Sequence, residues 1–297
     1  MSGWTRSSPG PRSRGVERVP GRGTAVTDAR QFLGMEERGD PLHWRLRVVP
    51  ELTTPGNFLF GGCGLGAALV ALEAASGRST VWSTCQYLSF APTDSVLDLA
   101  VTLAAVGNRI IQARAVGTTG DTEVLTVNAA LGLPGGMDAE GVWDSPPEVP
   151  PPDECPPRRL PSFFSTSIFD QIEVRLARGR NFEEINQSPF TPGEPTSALW
   201  ARVPGHLEPS AATLAILGDY VTGGMAQPLG RRVMSRSLDN TLRVVRLEPT
   251  EWVLCDIRIQ ALADGYGQGT AFLWSEAGNL LATASQSMSV RFAPPLG

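Results

Sequence analysis

The chain has 297 residues, of which 41% are hydrophobic, and a formal net charge of -5. This length allows two domains of ordinary size, and the negative charge excludes a global positive field that would attract nucleic acid. No apolar stretch reaches the roughly 20 residues that a membrane span needs, and the longest, residues 64–76, is interrupted by Glu73. We therefore expect a soluble, cytoplasmic protein without a nucleic-acid partner or a membrane span.

The residue inventory excludes several kinds of chemistry. The four cysteines lie far apart with no CxxC pair, which predicts buried thiols rather than a disulfide framework. The two histidines, His43 and His206, stand in no recognisable motif, so a Cys–His nucleophile has no support. All 25 basic residues are arginines, which excludes a Schiff-base lysine and a P-loop lysine.

Two segments of biased composition divide the chain. Residues 1–25 are basic and rich in Gly, Ser and Pro, which predicts a disordered tail or a start codon assigned too early. Residues 133–165 are rich in proline and predict an extended linker. The remaining chain forms two halves, residues 26–132 and residues 166–292.

The first half begins with an alternating strand at residues 44–48. A helix is predicted at residues 61–76, where Leu65, Leu69 and Leu72 recur at helical spacing. Four strands follow, at about residues 80–91, 96–106, 109–117 and 123–131.

The second half repeats this order. Strands are predicted near residues 172–176 and 199–203, and a helix at residues 209–220, with Ser210 close to its start. Four strands follow, near residues 238–247, 252–261, 268–275 and 280–292. A fixed offset of 157 residues aligns the later strands of the two halves. The sequence therefore predicts an α+β fold made of two repeats, each with a central helix and an antiparallel sheet.

One glutamine interrupts the apolar face of the last strand. The offset aligns Gln286 with Ala129, so the first repeat has a small apolar residue where the second has an amide. A buried amide without partners costs about 1–3 kcal/mol. Gln286 is therefore expected to have a role specific to the second half. The alternative is that it satisfies backbone groups at an irregular strand pairing.

Several short motifs, taken in order, resemble the type II acyl-CoA thioesterase (TesB-like) family, whose fold is a double hotdog. The family's Phe-Gly-Gly helix opening resembles residues 57–62, and its first strand ending in proline resembles residues 86–92. Its Ser-Leu-Asp-His, Glu-Trp-Leu-Leu and Leu-Val-Ala-Ser-x-x-Gln series is similar to residues 237–240, 251–254 and 280–286. The resemblance covers roughly residues 40–292 apart from the linker.

The resemblance implies a catalytic site in the second repeat, where an Asp, a hydroxyl residue and a Gln hold a water. By position these are Asp239, Gln260 and Gln286, so an amide stands where the family has a hydroxyl. Asn240 replaces the histidine that often follows the Asp. The alternatives for the residues themselves are a surface turn for Asp239 and a solvent-facing strand position for Gln260.

Backbone N–H groups near Gly61 and Gly62 could stabilise an oxyanion, although close packing explains the two glycines equally well. The resemblance implies hydrolysis of fatty acyl-CoA to free acid and CoA without a metal or other cofactor, in a homodimer or higher homo-oligomer. A non-catalytic or weakly active acyl-CoA-binding protein is the alternative, and Gln260 supports it. A hotdog dehydratase would need a His with an acidic residue, and neither histidine lies in such a motif.

Overall fold

The computed structural model describes residues 28–136, 139–185, 189–204 and 208–294. The predicted N-terminal tail and His206 lie outside these residues. Among its described residues, the first half contains two α-helices, a 3₁₀ turn at Pro50–Leu52 and six strands. The helices and strands are α1 (Ala29–Leu33), β1 (Met35–Glu37), β2 (His43–Arg47), α2 (Gly61–Ser76), β3 (Ser79–Tyr87), β4 (Val96–Val106), β5 (Ile110–Thr119) and β6 (Thr122–Gly132).

The second half has more short helices and one additional strand among its described residues. Its elements are α3 (Ile168–Gln171), β7 (Glu173–Arg178), α4 (Phe182–Ile185), β8 (Thr196–Arg202), α5 (Ala211–Gly218), α6 (Val221–Gly224), α7 (Ala226–Leu229), β9 (Val233–Ser237), β10 (Asp239–Val244), β11 (Val253–Ala263), β12 (Tyr266–Ser275) and β13 (Leu280–Phe292). The predicted helix at residues 209–220 is therefore shorter, because the chain leaves α5 at Gly218 and continues in single turns.

All strands belong to one antiparallel sheet with the order β1-β2-β4-β5-β6-β3-β10-β13-β12-β11-β8-β7, and β9 pairs with β13. The strands of the first half lie on one side of the central β3–β10 pair, and the corresponding strands of the second half follow in the reverse order on the other side. At this centre Thr84 and Thr241, which are 157 residues apart, share a hydrogen bond of 2.8 Å. The predicted repeat is thus visible as two sheets fused edge to edge.

The two longest helices pack against each other inside this frame. Helix α2 contacts strands of the first half and α5 contacts strands of the second. Glycines bring the two helices close, because a Cβ on Gly62 would lie 2.9 Å from the carbonyl oxygen of Ala215, and a Cβ on Gly66 would lie 3.1 Å from that of Ala212. One hydrophobic core therefore runs through both halves.

On β4 and β11 the two halves are related by an offset of 156 residues, and both strands carry a bulge at the same place. The bulge in β4 falls at Ala104, and the bulge in β11 falls at Gln260. These two residues, like the inward-facing Leu103 and Ile259, are 156 residues apart. The offset of 157 residues, which would pair Gln260 with Leu103, is therefore one residue out of step on these two strands, so a single offset does not hold along the whole repeat.

The proline-rich segment packs along the second half. It contains short 3₁₀ turns at Pro152–Glu154 and Ser162–Phe164. The indole of Trp200 donates to the carbonyl of Pro150, the guanidinium of Arg175 donates to that of Pro152, and the amide of Arg158 donates to the carbonyl of Val174. This segment therefore covers strands β7 and β8 as well as connecting the halves. Among the described residues, no helix has the length and apolarity needed to cross a bilayer.

Candidate functional site

A buried carboxylate lies where α2 and α5 meet. Helix α5 is buried on all sides, and its C-cap, Asp219, is only 4% exposed. The Oδ2 atom of Asp219 accepts a hydrogen bond of 2.6 Å from the amide of Gly62, in the first turn of α2. The N-terminal end of a helix favours a negative charge. The first repeat thus supplies a donor to a carboxylate of the second.

Two amide side chains converge on the other carboxylate oxygen. The Nδ2 group of Asn240 donates to Oδ1 of Asp219 at 3.3 Å, and the Nε2 group of Gln286 donates to the same atom. Gln286 also lies 3.3 Å from the hydroxyl of Ser237. A carboxylate, two amides and a hydroxyl therefore meet at one buried point, supplied by α5, β9, β10 and β13.

Burial dominates the acidity of Asp219. Loss of solvation raises the pKa of its carboxyl from 3.8 to about 7, and the hydrogen bonds from Gly62, Gln286 and Asn240 oppose this rise. A carboxylate with a pKa near the working pH can both accept and release a proton. Asp219 is therefore poised for general acid–base chemistry, whereas an exposed aspartate would stay ionised.

Gln286, the amide on the apolar face, has partners in the core. It is 2% exposed and lies opposite Gly269 of β12. Its Nε2 group is bonded to Asp219, and its Oε1 atom is buried with no partner among the described residues. Ala129, its counterpart in the first repeat, is buried to the same degree without any such function. Gln286 thus serves the carboxylate cluster of the second repeat.

Asp239 lies next to this cluster, and its carboxylate accepts a hydrogen bond from the backbone rather than from the cluster. From Ser237 to Thr241 the chain advances four residues, while the facing strand advances three, from Met288 to Ser285. The extra residue leaves the amide of Ser287 without its ladder partner, and the half-buried carboxylate of Asp239 accepts this N–H at 2.6 Å. Among the described contacts, Asp239 makes no bond to Gln286. The structure therefore joins Gln286 to Asp219 and leaves the catalytic role of Asp239 a prediction.

Gln260 lies away from the cluster. Its side chain is exposed and donates to the hydroxyl of Thr270 at 2.8 Å. Thr270 alternates with the buried Gly269 and Ala271 along β12, so it belongs to the outer face of the sheet. The structure does not bring Gln260 together with Gln286. The hydroxyl beside Gln286 belongs to Ser237 instead.

The two helix-opening glycines permit close approach. A Cβ on Gly61 would lie 2.9 Å from Oδ2 of Asp219, and a Cβ on Gly62 would lie 2.9 Å from the Cα atom of Ile216. The amide of Gly62 is directed at Asp219. Close packing therefore accounts for both residues, and the Gly62 N–H stabilises the carboxylate rather than lying free for an oxyanion.

Asp219 also lines a cavity of about 220 Å³, most of whose wall comes from the second half. Its wall is largely aromatic and aliphatic, and it includes Phe60, Phe164, Phe169, Leu199 and Ile257. Such a cavity beside a carboxylate of raised pKa is typical of a site for a small apolar ligand. Asp219 thus links the buried cluster to a small, largely apolar cavity.

The remaining candidate nucleophiles lie elsewhere or are inert. All four cysteines are free and buried, as predicted. Burial raises the pKa of the Cys63 thiol well above its usual value. His43, the histidine that lies within the described residues, is exposed, and its Nδ1 atom lies 2.9 Å from Oδ2 of Asp40.

Sequence reasoning missed Asp219, Asn240 as a partner, and Ser237. A signal for Asp219 was present in the sequence, because a helix that is apolar on every side, as residues 211–218 are apart from Thr213, is buried. A carboxylate directly after such a helix is then buried too. The inward position of Asn240 depends on the bulge near Asp239, which the sequence does not reveal.

The chain is similar to known thioesterases over most of its length. Residues 152–290 match the family model described as acyl-CoA thioesterase C-terminal domain. A solved structure of a candidate thioesterase from Novosphingobium aromaticivorans is 34% identical, with a TM-score of 0.75, and the match covers 85% of this chain and 96% of that one. None of the curated proteins compared with the chain matches it.

More distant structures share the fold. A hot dog fold protein from Alicyclobacillus acidocaldarius is 20% identical, with a TM-score of 0.74, and the match covers 90% of this chain and 98% of that one. The acyl-CoA thioesterase II TesB2 from Mycobacterium marinum is 18% identical, with a TM-score of 0.69, over 89% and 98% of the two chains.

The repeated helix-and-sheet units therefore define a double hotdog of the thioesterase class, as predicted. The chain belongs to the TesB-like acyl-CoA thioesterase family, and it is accordingly a thioester hydrolase by class.

Proposed function

We propose that this protein hydrolyses acyl-CoA thioesters to a free acid and CoA, and that Asp219 is the general base. The observation that carries the proposal is the buried Asp219 carboxylate, with its pKa of about 7, held by Gln286 at the wall of an apolar cavity. A water beside Asp219 loses a proton to the carboxylate as its oxygen attacks the thioester carbonyl. The proton then passes to the departing CoA thiolate.

The surrounding groups support each part of this reaction. Gln286 and Asn240 fix the orientation of the carboxylate through Oδ1, and Gly62 fixes it through Oδ2. The unpartnered Oε1 atom of Gln286 is an acceptor for a hydrogen of the attacking water. Ser237 supplies the hydroxyl beside Gln286, so the position of Gln260 no longer argues for a weakened site.

The test is release of CoA from fatty acyl-CoAs of several chain lengths, the substrates that the resemblance implies, followed with a thiol reagent. Asp219→Asn should lower kcat by about 100-fold or more, since the base is lost. Asp239→Asn is the matched comparison, because asparagine keeps an acceptor for the Ser287 amide but removes the charge. Near-normal activity of Asp239→Asn would remove Asp239 from the proton transfer. The reverse pattern would make Asp239 the base.

The pH dependence gives a second test. The base must be ionised, so kcat/KM of the wild type should rise with pH and level off above about pH 7, following the raised pKa of Asp219. A rate that is constant from pH 5 to pH 9 would contradict the assignment. Absence of CoA release from every acyl-CoA would favour the alternative, a protein that binds acyl-CoA without hydrolysing it.

A further inference from the structure

The cavity beside Asp219 carries an excess of positive charge. Three arginines line it, Arg158, Arg180 and Arg232, whereas Asp219 is the one carboxylate among its described lining residues. The guanidinium of Arg180 donates to the carbonyls of Thr191 and Gln227, and that of Arg232 donates to the carbonyl of Pro294. These partners are neutral, so they leave the positive charges uncompensated.

Arg158 differs from the other two arginines because part of its guanidinium is buried and unsatisfied. Its Nη1 atom is inaccessible to solvent and has no hydrogen-bond partner within the described part of the chain. The guanidinium lies over the ring of Tyr220, 5.5 Å from the centroid. A buried donor without a partner costs about 1–3 kcal/mol, and more when it is charged. Such a group is typical of a site whose partner arrives with a ligand.

Three further polar atoms on the wall of this cavity are buried without a partner in the described residues. They are the Tyr220 hydroxyl, Oδ1 of Asn181 and the hydroxyl of Ser235. The two hydroxyl groups and the guanidinium are donors that match the oxygens of a carboxylate, whereas Oδ1 of Asn181 is an acceptor and takes no part in this match. Tyr220 directly follows Asp219 in the chain, so one of these hydroxyl groups belongs to the residue next to the proposed base.

The size of the cavity limits what can enter. An apolar cavity of roughly 150 Å³ is enough to hold benzene, so about 220 Å³ accommodates an acyl group of roughly six to ten heavy atoms. The nucleotide part of CoA is too large for this space, and its phosphates are better placed in solvent. The acyl group is the part of the substrate that suits an apolar cavity beside Asp219, and a long fatty chain exceeds about 220 Å³.

We propose that the preferred substrates are CoA thioesters of short acyl chains that end in a second carboxylate, and that Arg158 binds that carboxylate. This inference rests on the proposed function, and it replaces the expected fatty acyl group by a short dicarboxylic one. Arg158 and Tyr220 then recognise the free end of the acyl group, while Asp219 faces the thioester. Arg158 lies in the proline-rich segment, which thereby acquires a part in specificity.

The experiment compares CoA thioesters in matched pairs, each with a carboxylate or a methyl group at the end of a chain of four, six or eight carbons. Wild-type kcat/KM should be at least about 10-fold higher for the carboxylate member of the preferred pair. Arg158→Gln should reduce this ratio by about 10-fold or more. Arg159→Gln is the matched control, because Arg159 is the next residue, is exposed and lies outside this cavity.

Three results would overturn the proposal. A wild-type preference for the methyl-ended member would do so, and so would an equal loss for both members in Arg158→Gln, which would indicate a structural role. If Arg158→Gln also bound free CoA more weakly, by the same factor as the thioesters, Arg158 would be assigned to the CoA phosphates. Circular dichroism spectra and Arg158→Lys, which keeps the charge, control for a folding defect.

A binding measurement separates this proposal from the proposed hydrolysis. Titration calorimetry would use a CoA thioether that carries the same carboxylate-ended chain and cannot be hydrolysed. Tighter binding of this compound than of its methyl-ended analogue, lost in Arg158→Gln but kept in Arg159→Gln, would support the recognition of the carboxylate even if no CoA is released. Equal binding of the two thioethers would contradict it whatever the hydrolytic activity.

Discussion

The buried carboxyl of Asp219 makes the stability of the protein depend on pH between about pH 4 and pH 7. Its pKa is raised from 3.8 to about 7 in the folded state, so between these values the folded protein holds a proton that the unfolded chain has lost. The free energy of unfolding therefore falls as the pH rises through this range, because ionisation of a buried carboxylate is unfavourable. Asparagine is neutral at every pH and escapes this loss.

We therefore expect Asp219→Asn to gain stability relative to the wild type between pH 4 and pH 8. The relative gain should be about 2–4 kcal/mol, since one unit of pKa shift corresponds to about 1.4 kcal/mol. Urea unfolding of both proteins across this range measures it. Parallel stability curves would show that Asp219 is not the titrating group.

At the scale of elements, the packing of α2 on α5 controls both stability and the carboxylate. In Gly62→Ala the new Cβ would meet backbone atoms of Ala215 and Ile216, which cannot move without the helix. We expect a loss of about 1–3 kcal/mol in unfolding free energy, together with a fall in kcat as the Gly62 amide leaves Asp219. Gly223→Ala is the control for stability, because its Cβ would have no atom within 4 Å. Equal unfolding temperatures for the two variants would contradict the packing argument.

At the scale of the whole molecule, the two hotdogs share one sheet and one core. The sheet is continuous through the β3–β10 pair, and Asp219 of one half takes its backbone donor from the other. Urea unfolding should therefore show one cooperative transition by both tryptophan fluorescence and circular dichroism. Separately expressed halves should fail to fold, since each would expose its side of the α2–α5 contact. Two resolved transitions, or a folded isolated half, would show that the halves are independent.

Local pattern was sufficient for most of the fold. The alternation of apolar and polar residues predicted β13 with its exact observed bounds, because this strand buries one face. The helical spacing of Leu65, Leu69 and Leu72 predicted α2 at residues 61–76. Strand β9 and the short helices of the second half carry no clear period over their few residues, and the sequence did not predict them. Bulges also escaped prediction, because the extra residue at Gln260 changes no side-chain pattern strongly enough to be seen.

The sequence by itself determined the repeat, the family resemblance and the anomaly at Gln286, since each depends only on the order of residue types along the chain. Tertiary structure decided which carboxylate Gln286 meets. A bulge turns Asn240 inward and directs Asp239 to the Ser287 amide, and the helix contact brings Asp219 to Gly62 across 157 residues of chain. Such a site depends on strand register and helix packing, and both are properties of the folded core rather than of any local segment.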